Sequence, residues 1–108
     1  MKELEIIYKI LNFLRKSMDI EEPNVLPITA EGLKIGEAKW SRLMKMLYDN
    51  GYVDGIIVLD VNNAPFPHIT LDNPEITLKG LEYLEENSIM KKLANAASGV
   101  IGAVGSIK

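Results

Sequence analysis

The stretch EAKWSRLMKMLYDNGYVDGIIVLD, residues 37–60, changes its period at Gly51, and the rest of the chain can be read outward from that change. Up to Asn50 the apolar residues are spaced for a helix. Trp40, Leu43, Met44 and Leu47 stand at i, i+3, i+4 and i+7 on one face, and Lys39, Arg42 and Lys45 fall on the other. Gly51 suits the left-handed position that closes a helix, and Tyr52 can pack back on the last turn. Beyond it, YVDGIIVLD is rich in β-branched residues, VNNAPFP is a run of turn formers, and HITLD alternates. Residues 53–72 are therefore expected to form a β-hairpin with a loop longer than the two-residue minimum.

Toward the N-terminus, residues 2–18 read as a helix with Leu4, Ile7, Leu11, Leu14 and Met18 on one face. Ile6 and Phe13 lie off that stripe. Either a wide helix face is buried, or these two begin an apolar patch for a partner chain. DIEEPNVLPIT is a connection with two prolines. Thr29 is the expected N-cap of a short helix, AEGL, and KIG turns the chain into the helix at residue 37.

Toward the C-terminus, NPEI closes the hairpin and Thr77 caps a helix over 78–86, with Leu78, Leu81 and Leu84 on one side. Asn87 can end that helix and Ser88 can cap another. Gly80 lies one turn into it, where glycine costs ~1 kcal/mol relative to alanine. A close backbone approach to the hairpin and helical core accounts for it.

A short helix, a tight turn and a longer helix make a helix-turn-helix, and a hairpin directly after its second helix is a wing. The expected fold is α+β and mostly helical: a winged helix-turn-helix domain over 1–88, followed by a C-terminal amphipathic helix over 89–108. The pattern Ile76-Thr77-x-x-Gly80-x-x-x-Leu84 resembles the segment after the wing in regulators of the MarR and PadR types. The chain as a whole resembles the YjcQ family of small winged-helix proteins of bacteria and their prophages. Leu47-x-x-x-Gly51-Tyr52-Val53-x-Gly55-Ile56 and PEITLKGLEYLEENSIMKKLANAASG carry that resemblance. It implies the fold and, through the prophage members, a phage origin. It brings no catalytic residue with it.

Composition narrows the chemistry. The 108 residues suit one domain, and 47% hydrophobic with 25% charged residues is ordinary for a globular chain. Without cysteine there is no disulfide, thiolate metal site or thiol nucleophile. Charges interrupt the apolar run of MKELEIIYKILNFLRK, which is unlike a signal peptide, and a cytoplasmic protein is expected. The longest uncharged run, Leu93–Ile107, is short for a membrane span. His68 is the one histidine and reads as an edge-strand residue, not a ligand. Glu82, Glu85 and Glu86 read as a solvated face, with Lys79 within pairing distance of Glu82. No phosphate-binding loop, dinucleotide fingerprint or nucleophile elbow occurs. No enzyme, metal or cofactor is expected.

For function, the fold points first to a small DNA-binding regulator. Lys39, Arg42 and Lys45 would meet phosphates and bases from the second helix, with Ser41 as a short polar reader and Lys34 touching the backbone from the turn. Asn62 and Asn63 would contribute from the wing. Charge argues the other way. The net charge is −3, and between Met46 and Leu78 there is no Lys or Arg but five acids: Asp49, Asp54, Asp60, Asp72 and Glu75. The alternative is a module that binds another protein. The last segment, IMKKLANAASGVIGAVGSIK, separates apolar from weakly polar residues around a helix. It can pack on helix 1, pair with a second copy, or lie on a membrane surface; its few cations make the last least favoured. A homodimer is expected, with Leu93, Val100, Ile101 and Val104 at its interface and Ile6 and Phe13 contributing.

Overall fold

The computed structural model describes residues 2–97, with side chains through residue 87. Helix α1 spans Glu3–Ser17. The Glu5 carboxylate accepts from the backbone N–H of Lys2 at 3.3 Å. Acids in the first turn and Arg15 and Lys16 in the last complement the helix dipole. Its buried residues are Ile6, Ile10, Leu11, Leu14 and Ser17. The stripe expected from sequence was rotated: Leu4 and Met18 are exposed, and Ile6 is wholly buried. Ile7 and Phe13 pack half-buried at the margins, so the face is wide and Ile6 is core.

After α1 the chain makes a 3-10 turn, Leu26–Ile28, within a segment read as plain connection. The Asn24 side chain accepts from Leu26 N–H at 3.1 Å. The Thr29 hydroxyl donates to the Leu26 carbonyl at 2.7 Å and accepts from Gly32 N–H at 3.1 Å, capping α2, Ala30–Leu33, as expected. Lys34 takes a left-handed conformation, φ 61°. That reverses the chain into α3, Glu37–Asp49. Trp40, Leu43, Met44 and Leu47 are buried. The Trp40 indole donates to the Ile28 carbonyl at 2.8 Å, which ties α3 to the 3-10 turn through a buried polar contact.

Gly51, φ 80°, ends α3. Its N–H reaches the Tyr48 carbonyl, and Tyr52 N–H reaches Leu47, the paired bonds of a Schellman closure. Strands β1, Val53–Leu59, and β2, His68–Ile76, form one antiparallel pair. The hairpin therefore runs four residues past the expected end at Asp72. Asp54 pairs with Glu75 and Ile56 with Leu71, so Gly55 alone faces residues 72–74. Pro74, which reads as a break because it has no N–H to donate, sits in this bulge, where no ladder bond is needed.

Helix α4 spans Leu78–Ala97 without interruption. Two helices with a break at Asn87 and Ser88 were expected; the 88/89 boundary instead falls inside one. The Asn87 side chain donates to the Tyr83 carbonyl at 2.8 Å and so sits within the helix. Asn and Ser each cost only about 0.5 kcal/mol in a helix interior, too little to break one held by packing. Leu84 is buried and Leu81 and Tyr83 pack on the core, but Leu78 is exposed. α4 contacts α1 and β2.

Thr77 joins three elements. Its N–H donates to the Tyr52 carbonyl at 3.1 Å and its hydroxyl to the Gly51 carbonyl at 2.6 Å, while the same hydroxyl accepts Gly80 N–H at 3.1 Å. The end of α3, the start of β1 and the start of α4 thus meet at one side chain. A Cβ at Gly80 would stand 2.5 Å from the Tyr52 carbonyl oxygen and 2.6 Å from Ile76 Cγ1. The close approach inferred from sequence is real, and it is made to the hairpin's two ends. The result is a winged helix-turn-helix: α1, α2 and α3 around an apolar core, with the β1–β2 wing and α4 closing it.

Candidate binding surfaces

The outward side of α3 is the first candidate, and each of its three cations has a partner within the chain. Lys39 Nζ lies 2.9 Å from Glu3 Oε2, linking α3 to the start of α1. The hydrogen bond from Lys39 holds the Glu3 carboxyl below its ordinary value. Lys45 Nζ lies 2.7 Å from Asp49 Oδ2, one turn on, and that bond raises the lysine above its ordinary value. Arg42 Nη2 donates to the Pro65 carbonyl at 3.1 Å, pinning the wing loop to the helix. The Lys45–Asp49 spacing was visible in the sequence; Glu3 and Pro65, 36 and 23 residues from their partners, were not.

Ser41 is only 1% exposed and cannot read a base. It stands three residues before Met44, so it falls on the buried flank of α3, where a small side chain lets neighbours close in. Lys34 is exposed in the turn, and Asn62 and Asn63 are exposed in the wing loop. The fold brings Arg42 to the wing loop, while Lys34 stands in the turn between α2 and α3. Lys39 and Lys45 each share their patch with a carboxylate.

The wing itself is apolar and acidic. Ile57, Leu59 and Val61 are exposed large hydrophobic residues. Thr70 and His68 stand opposite Ile57 and Leu59 on β2, and both are exposed. His68 is thus the edge-strand residue expected, and among the described residues no group of three His, Asp or Glu is placed to hold a metal. Glu82, Glu85 and Glu86 are exposed along α4. Lys79 does not reach toward Glu82 as expected. Its ammonium lies 5.3 Å from the centroid of the Tyr52 ring, which packs in turn on Tyr83 at 5.3 Å and 53°. Burial pushes the Tyr83 phenol up.

Of the residues expected at a dimer interface, Ile6 is wholly buried in its own domain and Phe13 packs half-buried on the core. Neither forms a free patch. The Leu93 side chain and all of Val100, Ile101 and Val104 lie outside the described residues. Among those residues, no helix is long and apolar enough to cross a membrane.

A family model described as YjcQ protein matches residues 8–100. No curated protein and no solved structure matches the chain.

Proposed function

The chain belongs to the YjcQ family, and we propose that its winged-helix domain is a non-catalytic module that binds another protein through its apolar and acidic surfaces. Support comes from the distribution of charge. DNA affinity rests on cations that displace counterions from phosphates. Here Lys39 and Lys45 are matched by Glu3 and Asp49 on the same surface, and Arg42 is spent on the wing loop. The wing, which would lie along a duplex, carries acids and exposed Ile57, Leu59 and Val61 and has no cation. Contiguous exposed apolar residues are the usual mark of a protein contact.

A second reading, a DNA-binding regulator of prophage origin, is favoured by Arg42 at the junction of α3 and the wing loop and by exposed Lys34. Exposed ion pairs are weak and screened by solvent, which leaves Lys39 and Lys45 free to leave their partners for phosphate. A titration with random duplex DNA at low salt separates the two. We expect no binding that weakens steeply with salt. Binding that does, and that is lost when Lys39, Arg42 and Lys45 are changed together to Ala, would establish the DNA reading instead.

A further inference from the structure

A groove of about 650 Å³ runs between the last turn of α1, the 18–25 segment and the bulged base of β2. It lies away from the outward side of α3 and from the wing tip. Leu14, Leu71 and Ile76 contribute its apolar floor, and Met18 and Ile20 stand at its rim, 62% and 54% exposed. Two carboxylates line it, Glu21 and Glu75, and no cation does. Asp19, Glu22 and Asp72 flank them, against Arg15 and Lys16 at the end of α1. Arg15 is already engaged by the Asn12 side chain at 2.7 Å.

The wall supplied by β2 is open. β2 has β1 on one side only, and among the described residues no backbone hydrogen bond joins the 18–25 segment to it. The bulge opposite Gly55, held by left-handed Asn73, turns residues 73–75 into this wall. Bulges commonly re-aim side chains beside binding sites. Pro74 offers no N–H, so this part of the wall lacks a donor that an added strand would need.

We propose that this groove receives an apolar side chain from a segment of a partner protein that carries Lys or Arg beside it. The floor offers apolar burial and the rim two carboxylates, so the complementary ligand is apolar at its centre and cationic at its flanks. The inference rests on the protein-binding reading above and adds to the wing a second surface, with its partner's chemistry.

The test pans a displayed library of random peptides on the full chain, then titrates an enriched peptide into isotopically labelled protein. Enriched peptides should pair Leu, Ile or Val with Lys or Arg, and amide shifts should concentrate in residues 14–25 and 71–76. Glu21→Lys with Glu75→Lys, and separately Met18→Ser with Ile20→Ser, should each weaken binding about tenfold or more. All four side chains are exposed, so the fold should persist, as the unperturbed spectrum would verify. Leu4→Ser with Met46→Ser, two exposed residues outside the groove, should leave affinity unchanged. Peptides without cations, or no enrichment, would overturn the inference. Shifts that concentrate around Ile57, Leu59 and Val61 instead would overturn it too, while leaving the protein-binding reading intact. Salt-steep DNA binding through α3 would instead remove that reading.

Discussion

Gly80 and Thr77 show how much one residue can decide. Gly80 sits inside α4, where alanine would be favoured by ~1 kcal/mol on propensity alone. A methyl group there would stand 2.5 Å from the Tyr52 carbonyl oxygen, closer than any unstrained carbon–oxygen contact. That oxygen is held in place because it accepts Thr77 N–H. The clash should outweigh the propensity, so Gly80→Ala is expected to destabilise the protein. Gly80→Leu should do so by about 3 kcal/mol, at the upper end of overpacking costs. Leu78→Ala, at an exposed position two residues away, should stay within ~0.5 kcal/mol. Denaturant unfolding of the three variants checks this; a Gly80→Ala variant as stable as the parent would show that α4 can shift away from β1 at no cost.

At the scale of elements, the ion pair between α1 and α3 makes their docking sensitive to acid. Glu3 is held below the ordinary carboxylate value of 4.5 by its hydrogen bond from Lys39. A carboxyl whose folded pKa is depressed adds stability that is present above its unfolded pKa and lost as pH falls through the folded one. The Glu3 contribution is therefore complete at neutral pH, begins to fall near the ordinary value of 4.5 and is lost as pH drops through the lower folded value. The pair is exposed, so the effect is small and screened by salt. Lys39→Met should flatten the part of the acid dependence that Glu3 supplies. Unfolding curves of parent and variant between neutral pH and pH ~3 should converge toward the acid end. A constant gap across that range would mean the pair is not formed in solution. α4 belongs to this scale too: its first turns are held by Thr77, Leu84 and the Tyr52–Tyr83 contact, which carry the helix through Asn87.

For the whole molecule, the homodimer proposed from sequence is tested at the C-terminal segment. Ile6 is taken up by the protomer's own core and Phe13 packs half-buried on it, so the homodimer proposed from sequence has its remaining apolar candidates at Leu93, Val100, Ile101 and Val104. Glycine-rich helices are intrinsically weak and are held by contacts with other elements or chains. Val100→Asp combined with Val104→Asp should convert a dimer to a monomer without altering the fold of the winged-helix core. Light scattering reads the mass, and circular dichroism checks the fold. An unchanged mass would exclude this segment as the dimer contact.

The amino-acid sequence alone determined what depends on neighbours along the chain. Trp40, Leu43, Met44 and Leu47 give the inner face of α3, Gly51 ends it, the alternating residues after it make the hairpin, and Thr77 and Gly80 mark the join to α4. These signals are local: a helical period, a left-handed closure, a cap, a missing side chain. Other features depended on where distant elements come to lie. Apolar residues ring much of α1, so several stripes were possible, and the position of the core selected Ile6 and Ile10 over Leu4 and Met18. Ser41 looked like a surface polar residue until the packing around Met44 enclosed it. Pro74 looked like the end of a strand until pairing resumed beyond the bulge. The partners of Lys39 and Arg42, and the groove beneath the wing, join residues far apart in sequence. Only tertiary structure could bring them together, because a contact of that kind leaves no periodicity in the chain.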